Sequence, residues 1–354
     1  MDYLRALAII TVIFTHIPFV LTTLKIDYSF VNFANPVFLM LSGALLLNKD
    51  YNLSDFLKKR FPRILFPLFF WGIILFLSFI ILTIFFKRGA FESFGLDYSN
   101  LYQLIFSAIY RTSVMDWYPL MIVGIYLSLP IINSFVLKEK MEGVKYYLIL
   151  WFSSTFIYGL YLLSGSPQII EGLNLLFIDL NFFISPLGFF FLGYYLHKQE
   201  FKYSPRTKIL LSLILFTVST ILGSILFKYI NNDYLFNYRT LLTHSFINID
   251  IFTILQSIGI FILIKNLNSL KIVINNHIYL LIKKWLISLS RSSYGIYLSH
   301  CIIMNIIIAI NVINMDKYTY ILIPFIMLIV LISTHILIYS LNKVQKLKKF
   351  TGYH

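Results

Sequence analysis

Cysteine and charge are what this sequence has least of. Its single cysteine, Cys301, lies inside an apolar run, so the chain has no disulfide framework and no cysteine-based metal site. Charged residues make up 12% of the chain and hydrophobic residues 59%, and the mean hydropathy is +0.81. A soluble domain would carry about twice that share of charge. The composition therefore predicts an all-α integral membrane protein with no soluble domain.

Other familiar signals are also missing. The first apolar segment lacks a basic leader and an A-x-A cleavage site, so we do not expect a cleaved signal peptide. The chain has no internal repeat and no pair of Gly/Pro-broken helices of the kind that marks many secondary transporters. Acidic residues number 15 against 29 lysines and arginines, which leaves a net charge of +14. In a membrane protein we interpret this excess as a topology signal and expect no nucleic acid partner.

Apolar runs of spanning length predict a bundle of ten transmembrane helices. Their ranges are 3–22, 29–47, 64–86, 117–137, 146–164, 179–197, 209–228, 246–264, 286–310 and 318–341. With both termini in the cytoplasm, the inner loops hold roughly three times as many lysines and arginines as the outer loops. We therefore predict a single ten-helix domain over residues 1–345 and a basic cytoplasmic tail over residues 346–354. The outer connection 87–116 is expected to contain a short interfacial helix.

The first predicted helix carries ionisable residues, although such a group inside a membrane costs at least a few kcal/mol. Arg5 and His16 are nearly three helical turns apart, so both project from about the same face, roughly 16 Å apart along the axis. This spacing puts a guanidinium near one membrane surface and an imidazole deep in the bundle. His16 taken alone is as consistent with a hydrogen-bonded interior histidine as with a site. We expect Asp2 to orient the Arg5 guanidinium.

A second basic group precedes the third predicted helix. Arg60 and Arg63 lie three residues apart, and arginine suits bidentate contacts with phosphate. The two lysines before them are typical of a positive-inside anchor. We predict that Arg5, Arg60 and Arg63, with Arg291 as a further candidate, form a basic cup on the cytoplasmic side.

A polar stripe follows in the ninth predicted helix. Tyr294, Tyr297 and His300 lie at intervals of three on a segment otherwise rich in isoleucine and leucine. A second membrane histidine favours a functional role for His16, because neutral imidazole can accept or donate a proton. Two histidines without a carboxylate at ligand spacing do not indicate a metal site. His335, alone on an apolar helix, is interpreted as structural.

The outer side offers Asp116 and Trp117, which open the fourth predicted helix. An acid and an aromatic ring suit a carbohydrate, through hydrogen bonds to hydroxyls and stacking on ring faces. Taken singly, each is better interpreted as an ordinary loop charge or an aromatic belt residue. Substrate binding at this end is therefore a hypothesis for the pair.

Six segments, in order along the chain, carry a resemblance to one known family. They are DYLRALAIITVIFTH with Arg5 and His16, FANPVFLMLSGALLL with Ser42 and Gly43, RFPRILFPLFFW with its Arg-x-x-Arg, DWYPLMIVGIYLSLP, GFFFLGYYL, and SSYGIYLSH with its Tyr-Gly-Ile-Tyr-x-x-His. The segments span almost the whole chain. Together they resemble the membrane-bound acyltransferase family 3, in which Arg5 and His16 would occupy the two marker positions of the first helix.

The resemblance implies transfer of an acyl group to a hydroxyl of a cell-surface polysaccharide or of its lipid-linked precursor. The usual donor is acetyl-CoA from the cytoplasm, and the location is the cytoplasmic membrane of a bacterial cell. The expected partners are the glycan acceptor and membrane lipids, and no metal is expected. Many members carry an additional SGNH hydrolase-like domain, so a glycan-synthesis or acyl-acceptor partner protein that completes transfer remains an open alternative.

The resemblance also implies roles for single residues, and these roles agree with the spacing above. The arginines of the basic cup would hold the phosphates of CoA, and the pantetheine arm would extend along the first helix towards His16. His16 would act as a general base on the acceptor hydroxyl or carry the acyl group itself. Tyr297 and His300 would orient His16 or stabilise the oxyanion.

Two alternatives come from other functional classes. A flippase or exporter for a polysaccharide or lipid intermediate would use buried polar residues to line a path, but it would leave no ester on its product. A non-catalytic subunit of a glycan-synthesis complex is disfavoured, because a scaffold has no physical need for buried ionisable groups such as Arg5 and His16.

Overall fold

The computed structural model describes residues 1–21, 29–86, 102, 117–164, 183–230, 250–267, 277–309 and 315–353. Within these ranges the chain forms nine helices and no strand. In chain order the helices are α1 (Asp2–Leu21), α2 (Ala34–Leu46), α3 (Leu53–Phe86), α4 (Trp117–Ser164), α5 (Leu187–Lys198), α6 (Pro205–Ile230), α7 (Ile251–Leu267), α8 (His277–Ala309) and α9 (Met315–Lys343). The predicted all-α class is confirmed.

The fourth and fifth predicted helices both lie within α4, which is interrupted at one residue. Lys140 has φ 53° and ψ −139°, which is not helical. A Cβ added at Gly143 would lie 2.9 Å from the ring of Phe135, whereas eight residues of straight helix would separate the two by about 12 Å. The chain therefore folds back at Lys140, and the count of ten separate helices remains a prediction.

Helix ends differ from the predicted ends where polar residues continue a helix beyond its apolar part. Helix α3 begins at Leu53 and not at residue 64, and α8 begins at His277 and not at residue 286. Both added stretches are basic, so hydropathy alone leaves them outside the spanning segment. The interfacial helix predicted within residues 87–116 lies outside the described residues, apart from Tyr102.

Four of the described helices contain a stretch that is long and apolar enough to cross a membrane. These stretches are Ser54–Leu82, Trp117–Leu160, Pro205–Ile225 and Leu322–Lys343. Large apolar side chains on them face outward; Phe69 is 63% exposed and Ile73 60%. Such faces suit contact with lipid acyl chains and not with water. By their length and composition, these four helices are those of a multi-pass membrane protein.

Helix α1 packs mainly against three other helices of the bundle. It contacts α8, α2 and α9. Ala6, Ala8, Ile9 and Ile13 are completely buried. Alanine at two of these positions allows neighbouring helix backbones to approach closely. This packing brings the polar residues of α1 next to those of α8.

The Ser42–Gly43 pair marks a tight crossing of α2 and α5. A Cβ at Gly43 would lie 1.8 Å from the carbonyl oxygen of Phe190, and one at Gly193 would lie 1.9 Å from the carbonyl oxygen of Met40. Only glycine permits backbones this close. The crossing fixes α2, whose Ser42 lines the pocket described next.

A buried amide secures the loop that leads into α3. The Asn133 Oδ1 atom, on α4, accepts hydrogen bonds from the backbone amides of Asn48 at 2.8 Å and Lys49 at 3.4 Å. The Asn133 amide group in turn donates to the Lys49 carbonyl. Because this loop precedes the Arg-x-x-Arg of α3, Asn133 helps to set where that basic pair enters the bundle.

Candidate active site

A pocket of about 240 Å³ opens between α1, α2, α3, α4 and α8. Four arginines line it: Arg5 from α1, Arg60 and Arg63 from α3, and Arg291 from α8. Arg5 and Arg60 are half-buried, whereas Arg63 and Arg291 are exposed. The structure thus places the three arginines predicted for the basic cup, and the further candidate Arg291, around one cavity. We call it the basic pocket.

Within the described part of the chain, the arginines of the basic pocket have no acidic partner. Among the residues that the structure describes, no carboxylate lies within 4.0 Å of any of the four guanidiniums. Each guanidinium presents up to five N–H donors in a planar fork that matches carboxylate and phosphate oxygens. Four like charges around one cavity repel one another, so an anion bound among them would be stabilised. The pocket therefore has the chemistry of a phosphate or polyanion site.

Asp2 does not orient Arg5 in the way the sequence suggested. Its Oδ1 atom accepts a hydrogen bond of 2.9 Å from the hydroxyl of Ser290 on α8. The Ser290 hydroxyl, on the facing helix, lies closer to the Asp2 carboxylate than the Arg5 guanidinium does, although Arg5 is only one turn along α1. Asp2 therefore ties the start of α1 to α8, and leaves Arg5 directed to the pocket.

The two predicted histidines meet. The Nε2 atom of His300, on α8, lies 2.9 Å from Nδ1 of His16, on α1, and the two rings stack with centroids 4.9 Å apart. His300 is 1% exposed. The other ring nitrogen of His300, Nδ1, lies 2.6 Å from the backbone carbonyl of Tyr297. The pair, which we call the histidine pair, is thus anchored to the backbone of α8.

These contacts fix where the protons of the histidine pair lie. A carbonyl oxygen only accepts, so Nδ1 of His300 carries the hydrogen of that contact. Burial among apolar helices favours neutral rings, so Nε2 of His300 is an acceptor and Nδ1 of His16 donates to it. In a neutral His16, Nε2 then keeps its lone pair. The arrangement leaves one imidazole nitrogen of His16 ready to take a proton.

Tyr297 connects the basic pocket with the histidine pair. It lines the pocket, and its ring centroid lies 5.9 Å from that of His300 and 5.5 Å from that of Tyr118. It is 4% exposed. The buried thiol of Cys301 also approaches His300, with Sγ 3.4 Å from Nε2. Tyr297 and Tyr118 thus form an aromatic wall of the pocket on the side of His300.

Several lining residues were not identified from the sequence, although a signal for them exists. Tyr118, Ile122 and Tyr126 line the pocket from α4 at intervals of four, which is one helix face. Ser290 and Ser293, three residues apart on α8, line it as well. The signal in the sequence is the repetition of hydroxyl-bearing residues at helical spacing within an apolar helix.

The predicted glycan-binding pair is placed only in part. Trp117 opens α4 and its ring lies perpendicular to that of Tyr118, with centroids 5.8 Å apart. It is a neighbour of the pocket and does not belong to its described lining. Asp116 lies outside the described residues. A role for either residue in binding an acceptor remains a prediction.

His335 provides a contrast with His16. Its Nδ1 atom lies 2.8 Å from the hydroxyl of Ser292 and its Nε2 atom 3.4 Å from that of Ser288, and its ring packs near Trp285 and Tyr339. Both ring nitrogens therefore have a partner that joins α9 to α8. These contacts agree with a structural role for His335.

Candidate metal sites were not found in the described part of the chain. No group of three or more histidine, cysteine, aspartate or glutamate side chains comes together there.

Comparison with known proteins identifies the family. A family model described as an acyltransferase domain, of the acyltransferase family 3, matches residues 1–341. No curated protein and no solved structure gives a match to the chain. The matched range contains all four arginines of the basic pocket and both members of the histidine pair. The chain belongs to the membrane-bound acyltransferase family 3.

Proposed function

We propose that this acyltransferase moves an acetyl group from cytoplasmic acetyl-CoA to a hydroxyl of a cell-surface polysaccharide or of its lipid-linked precursor. The observation that carries the proposal is the hydrogen-bonded pair of His16 and His300, placed beside a pocket lined by four arginines that have no acidic partner among the described residues. The first feature suits proton transfer, and the second suits a polyphosphate donor. A bacterial cytoplasmic membrane with both termini inside would present the basic pocket to cytoplasmic CoA.

The basic pocket fits the phosphate end of such a donor. Charge-assisted hydrogen bonds from guanidinium to phosphate are shorter and stronger than neutral ones. Arg60 and Arg63 come from one turn of α3, and Arg5 and Arg291 approach from two other helices. Donors from three helices can contact the separate phosphate groups of CoA at once. Competing protein carboxylates would weaken such binding, and none lies within ion-pair distance among the described residues.

The distance from pocket to histidine suits an extended thioester. Arg5 and His16 lie on the same helix, and α1 rises about 16 Å between them. An extended pantetheine arm is of comparable length. With its phosphates among the arginines, the donor would pass Tyr297 and place its thioester next to His16.

His16 then acts as general base. The proton of the acceptor hydroxyl passes to Nε2 of His16 as the hydroxyl oxygen attacks the thioester carbonyl. The carbon–sulfur bond breaks, and the proton passes from Nε2 to the leaving thiolate, which departs as free CoA. The positive charge that His16 carries between these steps is stabilised by Nε2 of His300, which accepts its Nδ1 hydrogen. His300 is held for this by the carbonyl of Tyr297, so it is a positioning residue.

The alternative of direct acyl transfer to His16, with an acyl-imidazole intermediate, uses the same lone pair. The alternative from another class is a flippase or exporter, for which the pocket and the histidines would line a path. The chemistry of the product separates the enzyme from the transporter, because only an enzyme leaves a covalent ester.

The test compares esters on the surface polysaccharides of four strains: intact gene, deletion, deletion complemented with His16→Ala, and deletion complemented with His335→Ala. The last is a matched control, a histidine with satisfied hydrogen bonds away from the pocket. We expect the ester to be lost in the deletion, restored by His335→Ala, and not restored by His16→Ala at equal protein level. Unchanged ester in all strains, with less surface polysaccharide in the deletion, would favour the transporter.

A further inference from the structure

The segment that follows α9 is packed into the bundle. Sequence composition predicted a basic tail over residues 346–354, and the family match ends before it, at residue 341. In the structure, Lys348–Phe350 form a short 3-10 turn, and Thr351 and Gly352 are buried, Thr351 to 1% exposure. We call residues 348–353 the clasp. A hydrophilic tail would leave its backbone in water, so the burial of the clasp indicates specific contacts with the bundle.

On one side the clasp contacts α3. The ring of Phe350 stacks on that of Phe70, with centroids 5.6 Å apart and planes at 28°, and lies 6.0 Å from the ring of Phe66. The indole nitrogen of Trp71 donates a buried hydrogen bond of 3.4 Å to the carbonyl of Thr351. Aromatic stacking and this hydrogen bond hold the clasp along one face of α3.

On the other side the clasp contacts the backbone of α8. A Cβ added at Gly295 would lie 2.2 Å from the carbonyl oxygen of Thr351. Gly352 has φ +74°, and a Cβ there would lie 2.8 Å from the backbone nitrogen of Gly295. Two glycines therefore allow a contact of backbone on backbone, and at Gly352 the positive φ itself also favours glycine.

The clasp touches each helix one turn from an arginine of the basic pocket. Gly295 follows Arg291 by four residues on α8, and Phe66 follows Arg63 by three residues on α3, so each pair shares a helix face. A second bridge lies beside it: the hydroxyl of Tyr294 donates to the carbonyl of Ile64 at 2.9 Å, and both residues line the pocket. The separation of α3 from α8 at the level of the arginines is thus set by the groups between them.

We propose that the clasp is a positioning element for the acyl donor: by holding α3 against α8, it sets the arrangement of Arg63 and Arg291 in which they bind the phosphate groups of the donor. The identity of the donor rests on the proposed function; the positioning of the two helices rests on the contacts alone. The role extends the binding machinery of the protein to residues beyond the family match.

The first test substitutes Gly295→Ala in the full chain and measures the dissociation constant for CoA in nanodiscs. An added methyl group must push the Thr351 carbonyl away, so we expect CoA binding to weaken by at least about tenfold, since a displacement of about 1 Å in a site has effects of that order or larger. Gly159→Ala is the matched control, because nothing lies within 4 Å of a Cβ there. Trp71→Phe is a milder variant that keeps the aromatic packing and removes only the hydrogen bond to Thr351.

A double-mutant cycle separates positioning from general loss of structure. If the clasp acts through the arginine, Gly295→Ala weakens CoA binding much less in an Arg63→Gln background than in the wild type. Equal effects in both backgrounds, or unchanged CoA binding by both Gly295→Ala and Trp71→Phe, would overturn the proposal.

A distance measurement tests the positioning of the helices independently of the proposed donor. Spin labels on Lys59→Cys and Lys284→Cys, two exposed positions on α3 and α8, report the helix separation without any donor. We expect the distance distribution to shift or broaden in Gly295→Ala and to stay unchanged in Gly159→Ala. If the wild type binds no CoA but the distance shifts, the donor assignment is wrong and the clasp still positions the helices. An unchanged distance means that the clasp does not set the helix separation.

Discussion

The basic pocket and the histidine pair are neighbours, but they differ in how their polar groups are bonded. In the pocket, four guanidiniums have no carboxylate partner among the described residues. In the histidine pair, the hydrogen bonds run in series from His16 to His300 and on to the carbonyl of Tyr297. Unpaired donors are what a binding site for an anion requires. A fixed tautomer is what proton transfer requires.

Because the two regions bond their polar groups differently, each loses a different function when a side chain is removed. Loss of one guanidinium removes part of the attraction for a donor and leaves the imidazoles in place. Loss of one imidazole breaks the chain of hydrogen bonds that fixes the tautomer and leaves the arginines in place. We therefore expect donor binding and chemistry to respond to different substitutions.

The largest effect is expected for His16→Ala. Removal of the general base should lower kcat by about 100- to 10,000-fold, the range typical of general acid–base catalysis, and leave CoA binding near the wild-type value. Steady-state transfer from labelled acetyl-CoA measures the first quantity, and equilibrium binding of CoA measures the second. A variant that lost both equally would show that His16 supports the pocket and not the chemistry.

His300→Ala should have the next largest effect. Without Nε2 of His300, the Nδ1 hydrogen of His16 has no acceptor, so the ring can turn and adopt the other tautomer. We expect kcat to fall by about 100-fold, less than for His16→Ala, because the base itself remains. His300→Gln offers a hydrogen-bond acceptor and should recover part of the loss. Equal activity of the alanine and glutamine variants would argue against a hydrogen bond between the rings as the cause.

Arg63→Gln should change binding and not chemistry. A hydrogen bond to a charged group contributes about 1.5–3 kcal/mol, so we expect KM for the donor to rise by about 10- to 100-fold with little change in kcat. Arg63→Lys keeps the charge but not the bidentate geometry and should lie in between. Because the contact is electrostatic, added salt should weaken donor binding more in the wild type than in Arg63→Gln. A change confined to kcat would contradict the division of labour.

The smallest effect is expected for Ser290→Ala. It removes the donor that holds the Asp2 carboxylate on α8. Freed Asp2 can then approach Arg5, one turn away, and compete with the donor phosphates. We expect KM for the donor to rise by no more than about threefold, the scale of an exposed ion pair, with kcat unchanged. The double variant with Asp2→Asn should bind the donor as the wild type does.

The residues of both regions could be predicted from the sequence, because ionisable and polar side chains are energetically costly in apolar segments and are therefore rare there. Arg5, His16, Arg60 and Arg63 are ionisable groups in or beside apolar runs, and a period of three marks Tyr297 and His300. The meeting of His16 with His300 could not be predicted, because it depends on how α1 crosses α8. The same holds for the contact between Asp2 and Ser290, which replaced the expected one with Arg5.

The packing of the clasp against the bundle could not be predicted for a similar reason. Lys346, Lys348 and Lys349 dominate the composition of the segment, and charge near a terminus is typical of solvated chain. Its burial depends on Gly295 and Gly352, and one glycine in each of two distant segments gives no periodic signal. The pairing of such positions is visible only when the helices are packed. The starts of α3 and α8 were predicted too late, because basic residues extend both helices beyond their apolar parts.

The separation of donor binding from chemistry is tested most directly by measuring CoA binding and acetyl transfer in the same preparations of three purified proteins: wild type, His16→Ala and the double variant Arg60→Gln, Arg63→Gln. We expect His16→Ala to bind CoA as the wild type does and to transfer the acetyl group at least about 100-fold more slowly. We expect the arginine variant to bind CoA weakly but to regain transfer when the donor is raised to saturation. Transfer by His16→Ala at the wild-type rate, or undiminished CoA binding by the arginine variant, would contradict this division of roles.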